Sequence, residues 1–365
     1  MIYFDSAATS LTKPLSVAAA MITAVNSLGN PGRGAHTHAL NAAKCIFNGR
    51  KTVASFFGAA PNQVVFTSGA TESLNIAIRG LLKPGDHVIT TVFEHNSVLR
   101  PLYNAGLDIS IATEINCRHL KPDTKAVVMT HASNLTGQIF DLETASQFCK
   151  KHGLLLIVDT AQTAGLVPLN INDMDVLCFT GHKSLLGPQG IGGLVVGRGV
   201  DIRPAKFGGS GMDSISKTQP ANLPEALEAG TLNTPGVAGL AAGIEYICKT
   251  GMANIYQKAQ KLAQLFYDGV TGIPGVKIYS NFNALHVPIV ALNIGDMDSA
   301  IMEFRLSNEY DISVRGGTHC APLLHDFLGT GMQGAVRFSF SHFNTEDEVR
   351  IAIQAVKKLA EEHTQ

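Results

Sequence analysis

The alternation of short, almost wholly apolar runs with stretches of helical periodicity constrains this chain more than any other feature. Apolar runs stand at 64–66, 87–89, 126–129, 154–158, 176–179 and 193–196. Helical stretches read over 15–28, 38–57, 71–82, 96–105 and 141–152, the second with apolar positions at Ala43, Ile46, Val53 and Phe57. A strand apolar at nearly every position is buried on both faces, and strands separated by helices form a parallel sheet covered on both sides. From 199 to 235 the pattern dissolves into Gly, Ser, Pro and Asn, and irregular segments of that length in a compact domain are usually functional. A helical stretch over 236–272 follows, broken near Thr250-Gly251. Then come strands at 276–279 and 288–294, a helix at 298–308, a strand at 335–340 and a helix at 345–362. The expected architecture is α/β: a large doubly wound, mostly parallel sheet domain over 15–250, and a smaller α+β domain built from 1–14 with 251–365.

Composition narrows the function classes. The 365 residues carry a formal charge of −1, with 45 % hydrophobic and 16 % charged residues. That excludes a disordered chain and gives no electrostatic case for nucleic acid or an anionic membrane surface. No apolar run approaches the ~20 residues that span a bilayer, and Met1-Ile2-Tyr3-Phe4-Asp5 does not begin a secretion signal, so a cytoplasmic protein is expected. The six cysteines, at 45, 117, 149, 178, 248 and 320, form no CxxC pair. Five read as small buried hydrophobes in a reducing compartment.

In an open α/β sheet, ligands bind beyond the carboxyl ends of the strands. After the run ending at Phe66 comes Thr67-Ser68-Gly69-Ala70-Thr71-Glu72, a strand–Gly–helix turn able to hold an anion on free N–H groups, or simply an ordinary helix cap. After Val158 comes Asp159, costly to bury without a cation, with Gln162 close behind. After Phe179 comes Thr180-Gly181-His182-Lys183, where a lysine at a buried strand end can have a lowered pKa. His95 and Asn134 hold the same relative place after their strands. Each alone has a plain reading as cap, loop acid or solvated charge. Together they supply an anion site, a carboxylate, an amine, a ring and an amide. Pyridoxal 5′-phosphate requires this set.

These motifs, with Gly187-Pro188 downstream and Asp5-Ser6-Ala7-Ala8 at the start, resemble the class V aminotransferase-type enzymes, and within them the cysteine desulfurase and selenocysteine lyase branch. The resemblance spans effectively the whole chain. It implies a fold-type I pyridoxal-phosphate enzyme in which Lys183 holds the cofactor aldehyde and Asp159 its pyridinium nitrogen. His95 would stack on the ring, Gln162 would meet its phenolic oxygen, and Asn134 the ring oxygen or substrate carboxylate. Ala70, Thr71, Thr180 and His182 would hold the phosphate. Thr231, in Glu228-Ala229-Gly230-Thr231, would reach the phosphate of a partner subunit, making a homodimer with a shared site.

Arg315-Gly316-Gly317-Thr318-His319-Cys320-Ala321-Pro322 resembles the loop bearing that family's catalytic cysteine. A thiolate nucleophile wants a glycine-supported loop and positive neighbours, here expected to be Arg315 and His319. Arg337, a cation in an apolar strand, would clamp the substrate carboxylate, unless it is merely an outward-facing strand residue. His36, in Arg33-Gly34-Ala35-His36, resembles a segment at the mouth of the family's site. The implied reaction converts L-cysteine to L-alanine, leaving sulfur on Cys320 for a sulfur-acceptor protein. A selenocysteine lyase, or an aminotransferase or β-lyase that leaves Cys320 idle, stays open. The glycines at 187–193 precede a strand and so do not form a dinucleotide loop, and His36 with His38 lacks further ligands for a metal.

Overall fold

The computed structural model describes residues 1–32, 34–211 and 215–363; Arg33 of the His36 segment lies outside them. Among the described residues the strands run β1 (Ile2–Tyr3), β2 (Val64–Thr67), β3 (His87–Thr91), β4 (Asp108–Ala112), β5 (Thr124–Thr130), β6 (Leu155–Asp159), β7 (Val176–Thr180), β8 (Gly192–Val196), β9 (Val276–Ile278), β10 (Ile289–Ile294), β11 (Ile312–Ser313) and β12 (Val336–Ser339). The α-helices are α1 (Leu15–Ser27), α2 (Thr37–Phe56), α3 (Ala70–Leu81), α4 (Asn96–Asn104), α5 (Leu142–His152), α6 (Thr234–Thr250), α7 (Met252–Val270), α8 (Ser299–Tyr310), α9 (Pro322–Leu328) and α10 (Glu346–His363).

Seven strands form the large sheet in the order β2-β8-β7-β6-β5-β3-β4, parallel throughout except β8, which is antiparallel to both its neighbours. The strand side chains alternate between two apolar cores. On β5, Val127 and Met129 enter one, with α2, α5 and α6, while Ala126 and Val128 enter the other, with α3 and α4. Burial on both faces is the reason these runs are apolar throughout. A second sheet, β12-β10-β9, is antiparallel and packs against α7, α8 and α10 around a core that also takes in Phe4. The helical stretch after 235 breaks at Gly251, whose φ of +88° suits a residue without Cβ.

Three features lie outside the sequence expectation. β4 is the sheet edge, and its residues are exposed to half-buried except the last. The strands β1 and β11, paired in parallel, are only two residues long and carry no pattern of their own. α9 follows the cysteine loop directly.

One end of the large sheet is chemically distinct. The strands β2, β3, β5, β6 and β7 each finish on a polar residue, Thr67, Thr91, Thr130, Asp159 and Thr180. The N-terminal segment crosses this end. Ser6 and Ala7 N–H donate to Ser339 O at 3.3 Å and Ser339 Oγ at 2.9 Å, and Ser10 N–H donates to His182 O at 3.0 Å. The first ten residues therefore bridge the two sheets.

Candidate active site

Beyond the polar strand ends lies a cavity of about 530 Å³. Lys183, Asp159, His95, Gln162 and Asn134 line it, as do Ala70, Thr71, Thr180, His182, Arg315 and Arg337. Ala7 and Ala8 of the N-terminal segment complete the wall.

Asp159 ends β6, 5 % exposed, with the Ala161 N–H donating to its Oδ1 at 2.9 Å. Burial pushes its pKa up, and the Ala161 N–H and the charge of Lys183 oppose that. Burial brings the Lys183 amine down to about 8; Asp159 opposes this, while Arg337 and Arg315 add to it. An amine in that range is available as a nucleophile or base near neutral pH.

His95 caps α4: its Nδ1 accepts from the Ser97 N–H at 3.0 Å and pairs with Ser97 Oγ at 2.9 Å. Ser97 Oγ in turn shares a hydrogen bond of 2.7 Å with Thr71 Oγ1. The imidazole is thus fixed with its proton on Nε2. Desolvation first, and nearby Lys183 and arginines next, bring its pKa to about 4, so it is neutral at pH 7. Behind it, wholly buried Glu94 accepts from Thr91 Oγ1 at 2.6 Å and from the Thr130 N–H at 3.0 Å, and burial raises its pKa to about 8.

Helix α3 starts at this cavity with Gly69 as its cap and no side-chain capping bond, so its first N–H groups face outward without the usual acceptor. Four buried polar atoms of cavity-lining residues, Asn134 Oδ1, His182 Nδ1, His319 Nδ1 and Arg337 Nε, have no hydrogen-bond partner among the described residues. An uncapped helix N-terminus, hydroxyls on Thr71 and Thr180, a buried carboxylate and partnerless polar atoms form a donor and acceptor set that fits a phosphorylated pyridine aldehyde.

Arg337, 2 % exposed on β12, is already engaged. Its Nη2 pairs with Asp5 Oδ1 at 2.8 Å and its Nη1 donates to the Asn134 carbonyl at 2.8 Å. It is not an outward-facing strand residue. Cys320 is exposed on a turn whose φ angles are +50° at His319 and +55° at Cys320. The expectation that His319 supplies positive charge beside the thiol does not hold. Its ring is buried, its Nε2 donates to the Ala335 carbonyl at 2.9 Å, and desolvation takes its pKa to about 3. Arg315 is exposed and borders the cavity.

His36 and Thr231 lie elsewhere. His36 caps α2, accepting from the Ala39 N–H, and both residues border a second cavity of about 1060 Å³ that also holds the buried Arg50–Glu228 ion pair. The sequence reading passed over Ser97, Glu94 and the pairing of Asp5. A serine two residues into a helix that begins at a histidine is a legible cap signal. Nothing in the spacing joins positions 5 and 337.

The Aminotransferase class-V family profile matches residues 2–351. A probable cysteine desulfurase of Methanothermobacter thermautotrophicus is 30 % identical, covering 98 % of this chain and 94 % of its own. One from Staphylococcus epidermidis is 32 % identical, covering 98 % and 92 %. Among solved structures, the apo cysteine desulfurase of Thermococcus onnurineus NA1 superposes with a TM-score of 0.91 at 33 % identity, over 99 % of this chain and 94 % of that one. The cysteine desulfurase CsdA of Escherichia coli superposes with a TM-score of 0.86 at 30 % identity, over 98 % and 94 %. With strand order, polar strand ends and whole-length similarity in agreement, the fold is that of the fold-type I enzymes, and the chain belongs to the class-V aminotransferase family.

Proposed function

We propose that this protein is a pyridoxal-phosphate-dependent cysteine desulfurase that converts L-cysteine to L-alanine and keeps the sulfur on Cys320. The observation that carries the reading is the convergence of Lys183 and Asp159 on one cavity that also receives Arg337 and the residue preceding Cys320. The class-V relatives that bear the name cysteine desulfurase support it.

When bound, the cofactor supplies an aldehyde for amines and a protonated ring that accepts electrons from the substrate Cα. Lys183 would hold the aldehyde and Asp159 the ring nitrogen. The face would rest on His95, and Gln162 and Asn134 would meet the phenolic oxygen. The phosphate would lie on the N-terminus of α3, with Ala70, Thr71, Thr180 and His182 around it, and Thr231 would reach it from a partner subunit of a homodimer. Lys183 Nζ, half of it neutral at about pH 8, takes and returns protons at the substrate carbon. Arg337, which borders the cavity, would turn onto the substrate carboxylate with its partnerless Nε, while sharing of its Nη2 with Asp5 fixes the guanidinium plane until then. Arg315, exposed where it borders the cavity, would offer its charge to the carboxylate of the incoming substrate. The Cys320 thiolate attacks the substrate sulfur, the C–S bond breaks toward carbon, and that carbon takes a proton. Cysteine and thiol thereby become alanine and a persulfide, with atoms and electrons balanced.

We take residues 15–250 as the cofactor-binding domain and 1–14 with 251–365 as the domain carrying the cysteine loop. We further propose a cytoplasmic enzyme that passes sulfur to an acceptor protein; no helix among the described residues is long and apolar enough to cross a membrane. His36 would approach substrate only across the subunit boundary, since it borders the second cavity.

The test is turnover of L-cysteine by the holoenzyme, with mass detection of a persulfide on Cys320. Cys320→Ala should abolish alanine production from cysteine yet leave the cofactor absorbance in place. Lys183→Ala should remove covalent cofactor attachment. Full cysteine turnover by Cys320→Ala would refute the persulfide route and leave an aminotransferase or β-lyase.

A further inference from the structure

The turn that presents Cys320 is held in a backbone conformation that it would not adopt alone. His319 and Cys320 are consecutive non-glycine residues with φ of +50° and +55°, in a region that L side chains rarely enter. Such a pair persists only where its surroundings over-determine it. Two contacts from the large sheet's strand-end loops do so here. The Asn96 N–H, one residue past His95, donates to the Cys320 carbonyl at 2.7 Å. The Asn134 Nδ2 donates to the His319 carbonyl at 2.7 Å.

Asn134 has a second attachment. Its own carbonyl accepts from Arg337 Nη1 at 2.8 Å, and β12, which carries Arg337, pairs with the start of the cysteine loop: the Arg337 N–H donates to Arg315 O at 2.8 Å. One residue therefore joins the guanidinium that faces the cavity to the peptide that precedes the thiol. Both partners are buried, His319 at 4 % and Arg337 at 2 % exposure, so neither contact is easily replaced by water.

We propose that Asn134 is a positioning residue for the Cys320 thiol, linking the seating of a carboxylate on Arg337 to the pose of the cysteine turn. The proposal rests on the desulfurase reading for its consequence in turnover, though not for the link itself. When a substrate carboxylate draws Arg337 toward its partnerless Nε, the Nη1 contact transmits the adjustment to the Asn134 backbone. The Asn134 amide carries it to His319 and hence to Cys320. An aspartate at 134 keeps the shape but sets a carboxylate oxygen against the His319 carbonyl, so the hook becomes repulsive.

Two measurements on the holoenzyme decide it. The first is the rate at which iodoacetamide alkylates Cys320, read by mass spectrometry of its peptide, with and without saturating L-alanine as a carboxylate that occupies the site. The second is the ratio of kcat for L-cysteine, which needs thiol attack, to kcat for L-cysteine sulfinate, whose β-substituent leaves without a nucleophile. In wild type, alanine should change the alkylation rate. In Asn134→Asp that dependence should vanish, and the cysteine-to-sulfinate ratio should fall about tenfold. Should Asn134→Asp not fold, Asn134→Ser, too short to reach His319, takes its place in both measurements. If either quantity stays as in wild type, Asn134 acts only as a binding or structural residue and the proposal is overturned. If wild type converts neither substrate, the desulfurase reading fails. The alkylation measurement then decides the link alone, with the same expected and overturning results.

Discussion

Charge at this site is set by burial before it is set by neighbours. Desolvation is the largest influence on Lys183, His95, His182 and His319, and each is driven toward its neutral form. The charged neighbours of Lys183 then adjust it in opposite senses. Asp159 raises its pKa, so Asp159→Asn should move the pH midpoint for reaction of the apo-protein with pyridoxal phosphate below about 8. Arg337 lowers it, so Arg337→Gln should move the midpoint up. Rates followed by the visible absorbance across pH 6 to about 10 would check both signs, that span bracketing the lowered and ordinary amine pKa values. In turnover, Asp159→Asn should lose about a hundredfold or more, as expected when a fixed charge facing a reacting group is removed. At this scale the sequence was readable where a polar residue closes an apolar run, as at Asp159 and Thr180. It was unreadable where the partner is remote in sequence, as for Asp5 with Arg337. It misled at His319, because a histidine beside a cysteine suggests a cation and only the fold shows the ring buried against Ala335.

The elements position these groups through close approaches that leave no room for change. A Cβ on Gly192 of β8 would stand 2.6 Å from both Gly69 Cα and Phe179 O, backbone atoms that cannot swing aside. Gly192→Ala should therefore displace the start of α3, destabilise the fold by about 1–3 kcal/mol and weaken cofactor binding, measurable by denaturation and by cofactor titration. The Arg50–Glu228 pair joins α2 to the irregular segment before α6, with nitrogen–oxygen distances of 2.8 and 2.7 Å and the Phe66 N–H donating to Glu228 as well. Glu228→Ala strands a buried guanidinium and the Phe66 N–H together, and should cost about 3–5 kcal/mol in urea unfolding. The interior strands and long helices stood out in the sequence because burial on two faces or one imposes an unbroken or periodic apolar pattern. β4, at the edge, alternates Asp108, Ile109, Ser110 and Ile111 and lacks that signature. The two-residue strands β1 and β11 are too short to leave one, since their pairing is decided by where the segment before Phe4 meets the chain that leaves α8.

Across the whole molecule, six histidines are held at pKa values of about 4 or 3 by burial: His95, His131, His182, His286, His319 and His342. Unfolded histidine titrates near 6.5, so between about pH 6.5 and 4 the unfolded chain binds more of these protons and acid weakens the fold. Glu94, Asp159 and Glu228, raised in the folded state, act in the opposite sense over part of that window, and they are fewer. The melting temperature of the apo-protein should fall steadily from pH 7 to about 4.5, each net proton contributing about 1.4 kcal/mol per pH unit. A flat profile would contradict the burial of these rings. A sheet-rich first part and a mixed second part were expected, with residues 1–14 assigned to the second; their crossing of the end of the large sheet was not foreseen. That bridge has a consequence for biosynthesis. Because Asp5, Ser6 and Ala7 find their partners at Arg337 and Ser339, these residues wait without those partners until β12 has left the ribosome. The cofactor pocket is therefore walled only once β12 has been made, and chains released before that strand should fail to acquire pyridoxal phosphate.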